Sequence, residues 1–220
     1  MTALRVVCIS DTHVQCRRVE IPPGDVLIHA GDLTGSGSLE ELASEAAWLR
    51  TMPHTHKVII AGNHDFCFER CGAAARALCD GLIYLEDAEV TVAGLRIYGS
   101  PWQPRFFDWA FNLDRGEPLR RVWSMIPEGL DVLVTHGPPR SLGDRTAAGE
   151  AVGCDDLLDA TRRTAPTYHV FGHIHEGYGV HRDGPTTYIN ASTVDLSYRP
   201  VNAPVVLEVQ PRGLPAPPTA

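Results

Sequence analysis

Five times in this chain a short apolar run, too brief for a helix, breaks off into polar side chains of the kinds that bind metal ions. The clearest case is 57–65, where Lys57-Val58-Ile59-Ile60-Ala61 gives way to Gly62-Asn63-His64-Asp65. A glycine at that point lets the backbone turn sharply as the strand ends. In open α/β sheets ligand sites gather at the carboxyl ends of strands, so this stretch reads as a buried strand delivering Asn63 and His64 to a reaction centre. One such ending also describes an ordinary turn. Recurrence is what constrains the fold.

The other four endings supply the rest of a ligand set. Strand 4–9 closes on Ser10-Asp11-Thr12-His13, where an aspartate and a histidine one residue apart point the same way if the loop stays extended. Strand 25–30 closes on Gly31-Asp32, strand 130–134 on Thr135-His136-Gly137, and strand 167–171 on Gly172-His173-Ile174-His175. Together they offer Asp11, Asp32, Asn63, His13, His136, His173 and His175, with His64 left over. Packing alone does not explain five such endings. Imidazole suits iron, zinc or nickel and oxygen ligands admit manganese, so the set fits two divalent first-row ions sharing one carboxylate.

Length and charge narrow what such a centre acts on. The 220 residues suffice for one α/β domain, expected over 1–210, with a proline-rich extended or disordered tail over 211–220. A net charge of −8 works against a grip on long nucleic acid, whereas a small anionic substrate stays open if a metal supplies the positive charge. The chain has no run of 18 apolar residues, and Met1-Thr2-Ala3-Leu4-Arg5 leads into a strand rather than a signal-peptide core. No membrane partner and a cytoplasmic location are therefore expected. The six cysteines are then expected to be reduced. Cys67, Cys71 and Cys79 recur along one face of a helix expected over 68–80 and read as small buried hydrophobes.

Between the endings the chain alternates helices and short strands. Ser38-Leu39-Glu40-Glu41 resembles a capping box opening a helix to about Arg50, with Leu42, Ala46 and Leu49 inward. His54 and His56 follow as solvated loop histidines. Strands are expected over 83–85, 89–92 and 95–98, the last two joined by a hairpin at Ala93-Gly94. Segment 100–112 packs five aromatics and two prolines with no period, and reads either as buried loop packing or as a pocket wall. Helices are expected over 117–125 and 155–163, a mobile loop over 140–153, and further strands over 180–182, 186–189 and 205–209. His29, His169 and His181 read as packed or solvent-exposed strand residues. Arg105, Arg140 and Arg145 are candidates for the far side of a substrate.

Taken in order, the endings spell D-x-H, G-D, G-N-H-D, a histidine and G-H-x-H, and this pattern from Asp11 to His175 resembles the calcineurin-like metallophosphoesterases. The resemblance implies a four-layer α/β/β/α sandwich of two mixed β-sheets flanked by helices, with two divalent ions at its loop edge. It implies that Asp11, His13, Asp32 and His175 bind one ion, and that Asp32, Asn63, His136 and His173 bind the other. The blocks 28–34, 101–112, 135–139 and 189–193 are similar to a metallophosphoesterase-domain-containing branch known from brain, associated with hydrolysis of phosphodiesters such as cyclic nucleotides. Some members of that branch carry a glycine where His173 stands, which weakens activity; the histidine here implies a competent site. Phosphoprotein phosphatases of the superfamily carry G-D-x-x-D-R, and Gly31-Asp32-Leu33-Thr34-Gly35-Ser36 has neither the second aspartate nor the arginine.

The expected chemistry follows from that centre. Two ions roughly 3.5–4 Å apart lower the pKa of a bridging water and clamp the phosphate for in-line attack. Asp32 joins the ions, and His64 is placed to protonate the leaving alkoxide, an effect worth about 10²–10⁴ in rate. The chain thus reads as a phosphodiesterase on small nucleotide-type substrates, with manganese favoured over iron, zinc or nickel. A phosphomonoesterase, a nuclease and a non-catalytic nucleotide-binding scaffold are the alternatives.

Overall fold

Residues 3–212, those described by the computed structural model, alternate strands and helices much as the apolar runs and capping signals suggest. In chain order they are β1 (Leu4–Ile9), β2 (Val26–His29), α1 (Leu39–Thr51), β3 (His56–Ile59), α2 (Phe66–Arg70), α3 (Gly72–Leu78), β4 (Ile83–Tyr84), β5 (Ala88–Val92) and β6 (Leu95–Ser100). Then come β7 (Gln103–Pro104), β8 (Asn112–Leu113), α4 (Glu117–Ser124), β9 (Val132–Thr135), α5 (Asp155–Thr164), β10 (Tyr168–Phe171), β11 (Gly179–Asp183), β12 (Thr186–Asn190) and β13 (Val205–Val209). Most of the proline-rich stretch 211–220 lies outside the described residues.

Two mixed sheets form. The first runs β13-β1-β2-β3-β4, parallel except for β13 at its edge. The second runs β11-β12-β10-β9-β6-β5, with a parallel centre and an antiparallel strand at each edge. Alternation along each strand decides which layer its side chains join. Val6, Cys8, Ile28 and Val58 of the first sheet pack against Ile97, Val134, Val170 and Ile189 of the second. The opposite faces bury Val7, Leu27 and Ile59 under Leu42 and Leu49 of α1, and Leu133 under Leu119, Trp123 and Leu157 of α4 and α5. The result is the four-layer α/β/β/α sandwich expected from the motifs.

Because β1, β2 and β3 are parallel, as are β9 and β10, their carboxyl ends emerge along one edge of each sheet. The two edges are stitched together where Thr193 N–H donates to Ser10 O at 2.9 Å. A helix start is fixed nearby: Ser38 Oγ accepts the Glu41 N–H at 3.1 Å. The Glu41 carboxylate turns to the N–H groups of Gly35, Ser36 and Gly37, a variation on the capping box that also shapes the loop after Asp32.

Several local expectations are corrected. The helix expected over 68–80 is two short helices, broken at Cys71, whose φ of −134° leaves the helical region. Cys67 and Cys79 are buried but Cys71 is exposed. His54 is not solvated: it is buried against Gly24, which has no side chain to keep it out, and His56 opens β3 half-buried. The 140–153 loop is pinned rather than loose. The Asp144 carboxylate accepts from the N–H groups of Ser141 and Gly153, and Glu176 accepts from Ala147 N–H at 2.7 Å. Among the described residues no helix is long and apolar enough to cross a membrane.

Candidate metal centre

All seven candidate ligands meet at the shared edge of the two sheets. β1 leads to Asp11 and His13, β2 to Asp32, β3 to Asn63, β9 to His136, and β10 to His173 and His175. The turn demanded of each strand end is tight. Asp11, His13, Asp32 and His173 all sit at positive φ, 53°, 40°, 56° and 67°, a conformation that costs non-glycine residues energy and recurs at functional sites. The preceding glycines are needed for close approach: a Cβ on Gly172 would overlap an Asp11 carboxylate oxygen, and one on Gly62 would overlap Asp32 Oδ1.

Donor atoms converge in two groups. In one, His175 Nε2 lies 3.5 Å from Asp11 Oδ1, while His13 Nε2 lies 3.6 Å from Asp32 Oδ2 and 3.4 Å from His175 Nε2. In the other, His136 Nε2 lies 3.5 Å from Asp32 Oδ2 and 2.8 Å from Asn63 Oδ1, and His173 Nδ1 lies 2.7 Å from the same Asn63 oxygen. Asp32 belongs to both. His136 Nδ1 is turned to Ala30 O at 3.0 Å and His175 Nδ1 to Asp195 O at 3.2 Å. These carbonyls hold the N–H of each ring on the outside, so the Nε2 lone pairs face inward, the orientation in which histidine ligates a metal.

The charges agree with a cation site. Asp11 and Asp32 are buried, and their only basic partners among the described residues are imidazoles. Burial opposes ionisation of Asp11, yet the hydrogen bond and charge of His175, with His136 and His13, hold its carboxyl well below the usual range. Asp32 is lowered in the same way, chiefly by His136 against the cost of burial. Burial likewise disfavours charging His136, but the Asp32 carboxylate outweighs it and lifts the imidazole to about 9. His173 is pushed down to about 3 by burial, with the His136 charge adding. A set of two carboxylates, an amide oxygen and four inward imidazoles, two of whose nitrogens face each other, fits divalent cations.

His64 stands beside this set. Its backbone N–H donates to Asp32 Oδ1 at 2.8 Å and its Nδ1 meets Gly35 O at 2.7 Å. The ring lies 4.2 Å from that of Trp109 and 4.6 Å from that of His13, centroid to centroid. A ring nitrogen of His64 also comes within ligand range of His13 and Asp32, so the residue left over in the sequence is within reach of the same space. Asp65 turns away from it. Its buried carboxylate accepts from the N–H groups of Leu33, Thr34 and Gly62, bracing the loops of Asp32 and Asn63. Burial, with the Asp32 charge, raises Asp65 to about 6.

Other residues divide. Trp109 and Phe106 line the cleft over the donors while Phe111 is buried in the core, so the aromatic segment is both pocket wall and packing. Arg140 lines the adjoining cavity, as does Arg105, but Arg145 does not; its guanidinium caps Gly149 O at 3.0 Å. Sequence reasoning missed Ser192, whose Oγ donates to Asp11 Oδ2 at 2.8 Å. It follows β12 in Asn190-Ala191-Ser192-Thr193, a sixth polar strand ending whose serine and threonine fall outside the ligand alphabet. It also missed Arg115 and Tyr198, which sit in loops without pattern.

A two-sheet sandwich with such a donor set at its strand ends defines a metal-dependent hydrolase. The family model described as calcineurin-like phosphoesterase matches residues 4–177. Metallophosphoesterase domain-containing protein 1 of Homo sapiens is 46% identical over 230 residues, covering 93% of this chain and 71% of that protein. A UPF0046 protein of Caenorhabditis elegans is 38% identical over 237 residues, covering 94% and 60%. Among solved structures, TT1561 of Thermus thermophilus shares the fold at 12% identity, with a TM-score of 0.59 over 95% of this chain and 100% of that one. The chain belongs to the calcineurin-like phosphoesterase family, whose members use divalent metals to hydrolyse phosphoesters.

Proposed function

We propose that this chain is a phosphodiesterase of small nucleotide-type substrates, cyclic nucleotides included, working with two divalent ions of which manganese is favoured over iron, zinc or nickel. The shape of the cleft over the donors supports this most. A cavity of about 210 Å³ lies on Asp32, Asn63, His64 and His173, bounded by Phe106, Trp109 and Tyr198. A second, of about 520 Å³, adjoins it through His173 and Phe106. A phosphate held at the donors thus has space for a substituent beyond the leaving group, which a diester needs and a monoester does not. The six free cysteines suit a reducing compartment such as the cytoplasm.

In this reading Asp11, His13, Asp32 and His175 would hold one ion, and Asp32, Asn63, His136 and His173 the other. Bound ions supply Lewis-acid charge to the phosphate and lower the pKa of water. The protein orients the carboxylates in advance: Ser192 Oγ and the His173 N–H fix Asp11, and the His64 N–H fixes Asp32. Gly35 O keeps a proton on His64 Nδ1, and the Trp109 ring holds the imidazole in place with Nε2 toward the cleft. In the imidazolium form Nε2–H delivers its proton to the leaving alkoxide while Nδ1–H stays paired, a contribution of about 10²–10⁴ in rate.

The test uses metal-stripped protein reloaded with manganese, given bis-p-nitrophenyl phosphate and p-nitrophenyl phosphate in parallel. The diester is expected to turn over faster, only with metal, and not at all above background in Asp32→Ala. A clear preference for the monoester, or turnover that survives in Asp32→Ala, overturns the assignment.

A further inference from the structure

Three arginines reach the larger cavity, and their partners tell them apart. Arg105 Nε is 2.6 Å from Asp114 Oδ1. Arg115 donates to the carbonyls of Val152 and Gly153 at 2.8 and 2.9 Å and lies 3.8 Å from Asp155. Arg140 is half-buried in the same wall, and among the described residues its guanidinium makes no hydrogen bond or ion pair. A guanidinium that gives up part of its hydration without a protein acceptor is matched by an acceptor from elsewhere.

The Arg140 backbone is held firmly. Its N–H donates to Cys154 O at 3.1 Å, and Pro139 bridges Cys154 beside it. The wall around the fork is largely apolar, with Pro104, Phe106, Pro138, Ala151, Val152 and Ile174. Such walls suit a flat ring, and a planar fork of N–H donors suits acceptors on that ring's edge. A second phosphate is poorly matched, because Asp114 and Asp155 already offset two of the three arginines.

We propose that this cavity is the subsite for the second ester substituent, one that carries a flat aromatic ring whose edge acceptors are read by Arg140. The proposal rests on the phosphodiesterase reading and adds what that reading leaves open, the recognised group and the residue that recognises it. His173 and Phe106 border both cavities, so a group bound here adjoins a phosphate held at the donors.

Three diesters with the same leaving group test it: methyl, phenyl and p-nitrophenyl p-nitrophenyl phosphate, of which only the last adds an acceptor to the retained ring. Arg140→Ala is expected to lower kcat/KM for the bis-nitrophenyl ester about 10- to 100-fold more than for the methyl ester, the worth of a hydrogen bond to a charged group. Arg140→Lys is expected to fall between, keeping the charge and losing the fork. Dividing each variant by wild type cancels the intrinsic reactivity of the esters, so an equal loss on all three overturns the assignment. Calorimetric binding of unreactive 4-nitrophenylphosphonate and methylphosphonate separates the two readings. If no diester is hydrolysed yet Arg140→Ala weakens the nitrophenyl probe about tenfold more than the methyl one, the subsite stands and the phosphodiesterase reading falls. If both probes weaken equally, the subsite falls whatever the turnover.

Discussion

The two cavities that meet at His173 are built by opposite means. The donor cavity is set by strand ends: Asp11, Asp32, Asn63, His136 and His173 each follow a buried strand, and glycines let the carboxylates and backbone crowd together. The arginine cavity is set by segments 104–115 and 137–155, whose shape depends on a few side-chain hydrogen bonds such as those of Arg115 and Asp144. Sheet edges resist change because moving one strand disturbs its neighbours, whereas loops tolerate substitution. In the proposed function the chemistry would therefore sit on the strand ends, and the choice of substrate on the loops beside them.

Gly172→Ala is expected to strain the rigid side hardest. The added methyl would overlap Asp11 and Ser10, and the shift it forces costs about 1–3 kcal/mol of stability. Since Asp11 and the His173 N–H move together, turnover is expected to be lost while circular dichroism still reports a folded protein. Wild-type turnover in Gly172→Ala would mean that the strand ends yield as easily as loops do. His64→Gln comes next, with kcat reduced about 10²–10⁴-fold and KM little changed if the residue gives its proton only in the transition state. A loss confined to KM removes it from that role.

A smaller effect separates bracing from ligation. Thr135 Oγ donates to Gly137 O at 2.8 Å, so it accepts from His169 Nε2–H at 2.8 Å, and the bond brackets His136. His29 meets Thr12 Oγ1 at 2.9 Å in the same way, between Asp11 and His13. Direct partners of metal ligands are worth about 10–100-fold in metal affinity, and His169, one residue further out, is expected to cost less than about 10-fold when His169→Ala is titrated with manganese. Burial also lowers His169 from 6.5 to about 3 and His29 from 6.5 to about 4. Unfolded chains then take up protons first. Stability from these two histidines is full above pH 6.5 and falls as pH drops toward 4, by about 1.4 kcal/mol per pH unit for each. Urea midpoints between pH 6.5 and 4 are expected to fall less steeply in His169→Gln; an unchanged slope shows that this imidazole is not buried neutral.

The contrast between strand ends and loops also explains what could be read in advance. The convergence of the candidate donors was legible because each follows an apolar run whose length and β-branching identify a strand, and because such endings repeat. Ser192 sits at the end of β12 in a block, 189–193, that stood out in the sequence, but its contact with Asp11 was not legible, since a serine after a strand is common. The break at Cys71 carries no proline, only Gly72 at the start of the next helix, so the cysteine spacing favoured one long helix. His54 is buried because Gly24, thirty positions earlier in the chain, leaves space for it, and no local pattern encodes that. Arginines are the extreme case. Arg105, Arg115, Arg140 and Arg145 look alike in sequence and differ only in the partners that loops bring to them.

Arg105 supplies the smallest and most discriminating prediction on that point. It lines the same cavity as Arg140 and carries the same fork, so proximity alone would give both a part in substrate choice. Its charge, however, is met by Asp114, and both side chains stand in water, at 54% and 68% of full exposure. A pair so exposed is worth no more than about 1 kcal/mol, and a guanidinium whose charge is already met by Asp114 and which stays in water gains little from a ring edge. Arg105→Ala is therefore expected to change kcat/KM less than about fivefold, and by the same factor for the methyl and the bis-nitrophenyl diesters. If it instead compresses the ratio between those two esters as Arg140→Ala is expected to do, the loop carrying Arg105 rearranges around the substrate. Recognition would then belong to the loop-built wall as a whole rather than to Arg140 alone.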